Sequence, residues 1–139
     1  VRLGKNKRAK FLSSIPALQR VIDAARASIK KYGKLRALDG SVLYGRSEHS
    51  ALNLRLQSDG ALVMKVALIL ADETLTREKI PFFWVLNVHD EYQATCPPQY
   101  AERVANIAAD AIRQAGDFFN LECPMEGAAK IGNNWKETH

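Results

Sequence analysis

One stretch constrains the fold more than any other: Phe82-Phe83-Trp84-Val85-Leu86-Asn87-Val88-His89-Asp90-Glu91-Tyr92-Gln93-Ala94-Thr95-Cys96. Two runs rich in aromatic and branched apolar residues flank three polar ones, His89, Asp90 and Glu91. Such runs favour extended backbone, and a polar break between them reads as the tip of a β-hairpin. Carboxylates at the tip of an otherwise buried hairpin cost desolvation energy and contribute nothing to packing. A surface turn that happens to hold acids explains an isolated Asp-Glu about as well. Val85, Leu86 and Val88, however, carry the strand almost up to the His-Asp pair, which sets the acids on a rigid support. That favours a metal or catalytic site.

The 139 residues are one domain's worth of chain, enough to bury a real core. The longest apolar run, from Ala61 to Ala71, is broken by Lys65 and is too short to span a bilayer. No leader pattern is visible, and two cysteines, Cys96 and Cys123, are too few for a disulfide framework or a zinc site. These features lead to the expectation of a cytoplasmic protein without a membrane partner. The start at Val1 rather than Met suggests a fragment or a processed piece. The net charge of +5 conceals an asymmetry: residues 1–36 carry eleven Lys and Arg against Asp23 alone, and the remainder is acidic on balance. A nucleic-acid surface on the basic side accounts for this, and so does a solvated basic helix.

Taken in order, residues 5–13 read as a short basic helix. Ser13 or Ser14 can cap a second one with Pro16 in its first turn, an apolar stripe through Leu18, Val21, Ile22, Ala25 and Ile29, and an end at Gly33. Asp39-Gly40 between two short apolar runs signals a two-residue hairpin, with Lys34, Arg36 and Arg46 on and beside it. Those cations can touch phosphate or simply guard a solvated edge. From a cap at Ser47 a long helix is expected to about Lys79. His49, Asn53 and Gln57, four residues apart, share a face of its first half, and its apolar second half reads as buried core. The polar row is either a solvated stripe or a set of donors for the minor groove, where every correct base pair offers an acceptor in nearly the same place. Pro97-Pro98 starts a third helix, Gln99 to about Phe118, expected to pack behind the hairpin's sheet. A last strand is expected over 123–128, joining that sheet.

Val88-His89-Asp90-Glu91 resembles motif C of the A-family DNA polymerases. The stretch Arg46-Ser47-Glu48-His49-Ser50-Ala51-Leu52-Asn53, with Leu56-Gln57-Ser58-Asp59-Gly60-Ala61, resembles the helix upstream of that motif in phage replicative members. Gly132-Asn133-Asn134-Trp135 with terminal His139 is similar to their ends, and the matched stretches keep the family's order from about Leu3 onwards. The resemblance implies the C-terminal palm portion of such an enzyme, an α+β fold with long helices packed on a small antiparallel sheet. Residues 1–33 would be basic helices linking from the fingers, and residues 34–139 the palm with its hairpin. It implies template-directed DNA synthesis on primer–template DNA with deoxynucleoside triphosphates, in the bacterial host cell if phage-encoded. Asn53 and Gln57 would line the duplex beside the primer end. His49, where many members have Arg, would make charge there depend on pH.

Nucleotidyl transfer uses two divalent metals, and hard Mg²⁺ takes carboxylate oxygens held on rigid strands. Asp90 fits as a metal ligand. Glu91, next in the strand, points to its other face and ranks as a secondary or outer group. His89 is a metal ligand by type, whereas the resemblance implies contact with the primer terminus. The family's second aspartate and its triphosphate-gripping fingers helix have no counterpart here, so the chain is expected to need an upstream partner, fused or separate, and to be inactive alone. Two other readings compete: a non-catalytic basic DNA-binding module, and a metal-dependent phosphohydrolase using the His-Asp pair, which needs further His ligands on helices where only His49 and His139 remain.

Overall fold

The structure, a computed structural model, describes residues 2–138. Val1 and His139, the latter part of the C-terminal resemblance, lie outside the described residues, as do the side chains of Arg2, Leu3 and Lys5. Contacts divide the chain into two compact units, one ending at Asp59 and the other beginning at Gly60. Each gathers its own apolar residues.

In the first unit, helix α1 (Arg2–Ser14) is followed by α2 (Pro16–Tyr32), and Pro16 opens α2 as expected. The cap differs. Ile15 holds that position, while the hydroxyls of Ser13 and Ser14 donate back to the Lys10 and Phe11 carbonyls at 2.8 and 2.6 Å, closing α1 instead of opening α2. Gly33 ends α2 in the left-handed conformation, φ 66°, its N–H on the Ile29 carbonyl. Ile22 and Ile29 of the apolar stripe are buried, and Val21 is exposed. Ile29, Leu35 and Ala51 form a small core, with Ala25, Leu43 and Leu54 packed against it. Strands β1 (Lys34–Arg36) and β2 (Val42–Tyr44) pair antiparallel, Lys34 opposite Tyr44 and Arg36 opposite Val42. Their loop is wider than the Asp39-Gly40 signal suggested. Ala37 donates to the Ser41 carbonyl, Gly40 donates to the Ala37 carbonyl, and the Asp39 carboxylate accepts the Ser41 N–H at 2.9 Å. That side-chain turn draws Asp39 into the loop and lengthens it.

The long helix opens with a 3₁₀ turn, Glu48–Ser50, before α3 (Ala51–Arg77) begins. Ser47 precedes the turn without a side-chain cap bond. Val63, Met64, Ala67, Ala71 and Leu75 are buried, but Ile69 stays 56% exposed, so the second half of α3 is not enclosed all round.

The second unit also holds β3 (Phe83–Val88), β4 (Glu91–Thr95), α4 (Ala101–Phe118) and a short terminal helix α5 (Trp135–Thr138). The apolar residues of α4 recur at helical spacing as Val104, Ile107, Ala108, Ala111, Ile112 and Ala115. Val104, Ile107, Ala111 and Ala115 are buried, Ala108 and Ile112 half-buried, and Glu102, Arg103, Asp110 and Arg113 turn to solvent. The strand expected over 123–128 does not form. That segment lies close against α4: a Cβ on Gly127 would stand 2.9 Å from the Ala109 carbonyl oxygen, and one on Gly116 2.8 Å from the Met125 side chain. A backbone held to a helix this tightly is not offered to a sheet edge. The architecture is α+β as expected, its strands shared between two two-stranded ribbons.

Candidate functional site

The β3–β4 hairpin closes with two residues, His89 and Asp90, between the paired Val88 and Glu91. A two-residue loop needs positive φ at its first position, and His89 supplies it at 53°. Gly would take that conformation without strain; a His held there costs about 1 kcal/mol, and such strain concentrates at functional sites. Glu91 is thus the first residue of β4, not part of the tip. Its carboxylate sits 3.5 Å from the Gln93 amide, on the strand face opposite Tyr92.

The hairpin is less buried than its composition suggested. Phe83 is 70% exposed, and Val85 and Val88 also face solvent. Its other side is tied down. The Trp84 indole N–H donates to Asp72 on α3 at 2.9 Å, and the Tyr92 hydroxyl donates to the Ala108 carbonyl on α4. The two rings meet edge to face, centroids 5.3 Å apart. Burial pushes the Tyr92 phenol up to about 12, so it remains a donor through neutral pH. Two anchors thereby fix the strands that carry His89 and Asp90, both exposed at the tip. Removing one anchor gives a direct check. Tyr92→Phe keeps the ring and is expected to lower stability by about 1 kcal/mol. That would move the urea midpoint without changing the slope; an unmoved midpoint means the hydroxyl is no anchor.

A cleft of about 740 Å³ is lined by β4, α4 and the tail, with Asp90, Glu91, Lys130 and Asn133 among its walls. In the tail, the Glu137 carboxylate accepts the Asn133 N–H at 2.7 Å and the Asn134 amide at 2.6 Å, which hold it below the usual carboxylate range. Among the described residues no three His, Cys, Asp or Glu side chains converge in a manner suited to a metal ion. Asp90 and Glu91 are the acidic oxygen donors at this hairpin.

The other candidates belong to the first unit. Asn53 and Gln57 share one exposed face of α3, whereas His49, also exposed, sits in the preceding 3₁₀ turn. Strict four-residue helical spacing therefore holds for Asn53 and Gln57 only. Lys34, Arg36 and Arg46 are exposed, and the Arg36 guanidinium donates to the Gly40 carbonyl at 2.8 Å.

The family model for DNA polymerase family A matches residues 10–137. The chain belongs to that family. It is 30% identical to the DNA-directed DNA polymerase of Enterobacteria phage T3 over 98% of its own length and 22% of that protein's. With DNA polymerase I of Aquifex aeolicus it shares 29% identity, over 92% of this chain and 23% of that one. Its fold matches the polymerase domain of Pol1 from M. smegmatis, solved with DNA primer-template and dNTP, with a TM-score of 0.86 at 19% identity, over 99% of this chain and 26% of that one. The chain thus spans about a quarter or less of these relatives' length. The resemblance carried by the His89-Asp90-Glu91 hairpin is borne out.

Two positioning residues escaped the reading of the sequence. Asp59 accepts the Leu38 N–H at 2.8 Å and the Arg55 guanidinium, joining the ribbon loop to the start of α3. Asp72 receives Trp84. Both looked like ordinary helix acids; the Arg55-Asp59 spacing of four was the only local signal. No helix among the described residues is long and apolar enough to cross a membrane.

Proposed function

We propose that this chain is the C-terminal palm portion of a phage-type family-A DNA polymerase and takes part in template-directed DNA synthesis. The observation that carries the reading is the anchored hairpin that presents His89 and Asp90 at a strained, exposed two-residue tip. Primer–template DNA and a deoxynucleoside triphosphate are the ligands, as in the related M. smegmatis complex. The fingers and the rest of the palm come from an upstream part, fused or separate.

Asp90 offers hard oxygen ligands at the end of a rigid strand, the donor type that suits Mg²⁺. Asp90 would hold metal at this tip, and a bound metal pair would supply activation of the attacking primer oxygen and neutralisation of charge on the leaving pyrophosphate. Glu91, turned to the opposite face from Tyr92, acts as an outer group. His89, with its ring at the tip, contacts the primer terminus. The second carboxylate comes from outside this chain.

Asn53 and Gln57 present amide donors from one helix face, matched to the base-pair acceptors common to all sequences in the minor groove. His49 extends the contact from the turn before α3, and Lys34, Arg36 and Arg46 bind phosphate. Primer extension by this chain joined to the upstream part tests the reading. Asn53→Ala and Gln57→Ala are each expected to weaken extension from matched ends by about 1–3 kcal/mol and from mismatched ends by less, because a mispair already displaces the acceptor. Equal losses on both kinds of end return the row to a solvated stripe.

A further inference from the structure

We propose that the outer face of the β1–β2 ribbon is a platform for unpaired DNA, with Tyr44 stacking on a base while Lys34, Arg36 and Arg46 hold the flanking phosphates. This rests on the DNA-binding reading above and extends it from the duplex to a single strand. The face follows from the register. Leu35 is buried between Lys34 and Arg36, so both cations point outward with their cross-strand partners Tyr44 and Val42. The pairs on either side of these carry the ladder bonds: Gly45 donates to the Gly33 carbonyl, and Ala37 to the Ser41 carbonyl. Lys34–Tyr44 and Arg36–Val42 are therefore the closely spaced, non-hydrogen-bonded pairs, whose side chains stand nearest each other.

Tyr44 is 80% exposed. A ring left in water contributes little to the fold, in contrast to Tyr92, whose phenol is packed and bonded. Its setting is strongly cationic. Residues 30–46 hold Lys30, Lys31, Lys34, Arg36 and Arg46 against Asp39 alone, and that carboxylate is turned onto the Ser41 N–H. A second exposed ring, Tyr32, lies in the same stretch with the Lys31 ammonium 4.9 Å from its centroid. Cations interleaved with exposed rings suit a single strand, whose phosphates track the charges while its bases stack on the rings. A duplex accounts for the cations but not the ring, since its base faces are already stacked.

The experiment compares three ligands for the purified chain: oligo(dT), an abasic strand of equal length, and a blunt duplex. Oligo(dT) is expected to bind more tightly than the abasic strand, which has the phosphates without the bases. Tyr44→Leu should weaken oligo(dT) binding roughly tenfold and leave the other two ligands unchanged, while Tyr44→Phe keeps wild-type affinity. Lys34→Ala should weaken all three and lower the slope of log affinity against log salt by about one. Because Tyr44 is exposed, unfolding curves of the variants should match the wild type, so lost binding is not lost fold. Undiminished oligo(dT) binding by Tyr44→Leu, or an equal loss on the abasic strand, overturns the stacking platform alone. Failure to bind any of the three ligands defeats the DNA-binding reading with it.

Discussion

Asp90→Asn, in an enzyme completed by the upstream fingers and palm, is expected to slow nucleotide incorporation about a thousandfold or more while primer–template binding stays largely intact. A charged ligand to a catalytic metal is worth several kcal/mol of transition-state stabilisation. At 1.36 kcal/mol per factor of ten, that amounts to roughly three decades or more of rate. Asn keeps the size and one acceptor oxygen but loses the charge. Glu91→Gln should do less, because Glu91 starts β4 beyond the tip and its carboxylate lies beside Gln93. Single-turnover incorporation, measured beside DNA affinity, separates the two effects. Mild and equal losses for both variants would overturn the proposal that Asp90 holds metal.

The chain alone is expected to bind duplex DNA and add no nucleotides, whatever divalent metal is supplied. A strand-end carboxylate with one acidic neighbour holds Mg²⁺ weakly, because this ion gives up its water reluctantly. The eleven Lys and Arg of residues 1–36 should still bind phosphates, with affinity falling steeply as salt rises. Adding the upstream part, in cis or as a separate polypeptide, should restore templated synthesis from none to robust. Primer extension with and without that part measures it. Robust templated synthesis by the chain alone would falsify this account, since a second catalytic carboxylate would then have to be one assigned here a structural role. Asp39 bonds its own loop, Asp59 holds Leu38 and Arg55, Asp72 holds Trp84, and Asp110 pairs with Arg113.

The helices were the most legible part of this chain. Pro16, Gly33 and Pro97-Pro98 act through local backbone geometry, and the apolar residues of α4 recur at helical spacing, four of the six becoming buried. The hairpin was legible too, since its apolar runs stop at a polar pair. Less visible was where pairing stops. Ser14 could cap forward or bond backward, and only its Phe11 contact decides. A strand was expected over 123–128, but the close approach of Gly116 and Gly127 to their neighbours holds that segment against α4. Within the candidate site, Asp90 drew attention by its place at the end of an apolar run. The bonds that steady it, from Trp84 to Asp72 and from Tyr92 to Ala108, join residues 12 and 16 positions apart and leave no local pattern.

The register of the same hairpin shifts once, between Trp84 and Leu86, leaving Val85 as one residue more than β4 can match. Such an insertion reverses which side of the ribbon each later residue occupies. Trp84, Ala94, Tyr92 and Asn87 fall on one side, and Leu86, Val88, Gln93 and Glu91 on the other. In an alignment of family members, a single-residue gap at Val85 therefore carries structural information. Relatives lacking that residue can keep their root aromatic in phase with Trp84 or their tip in phase with Val88, but not both.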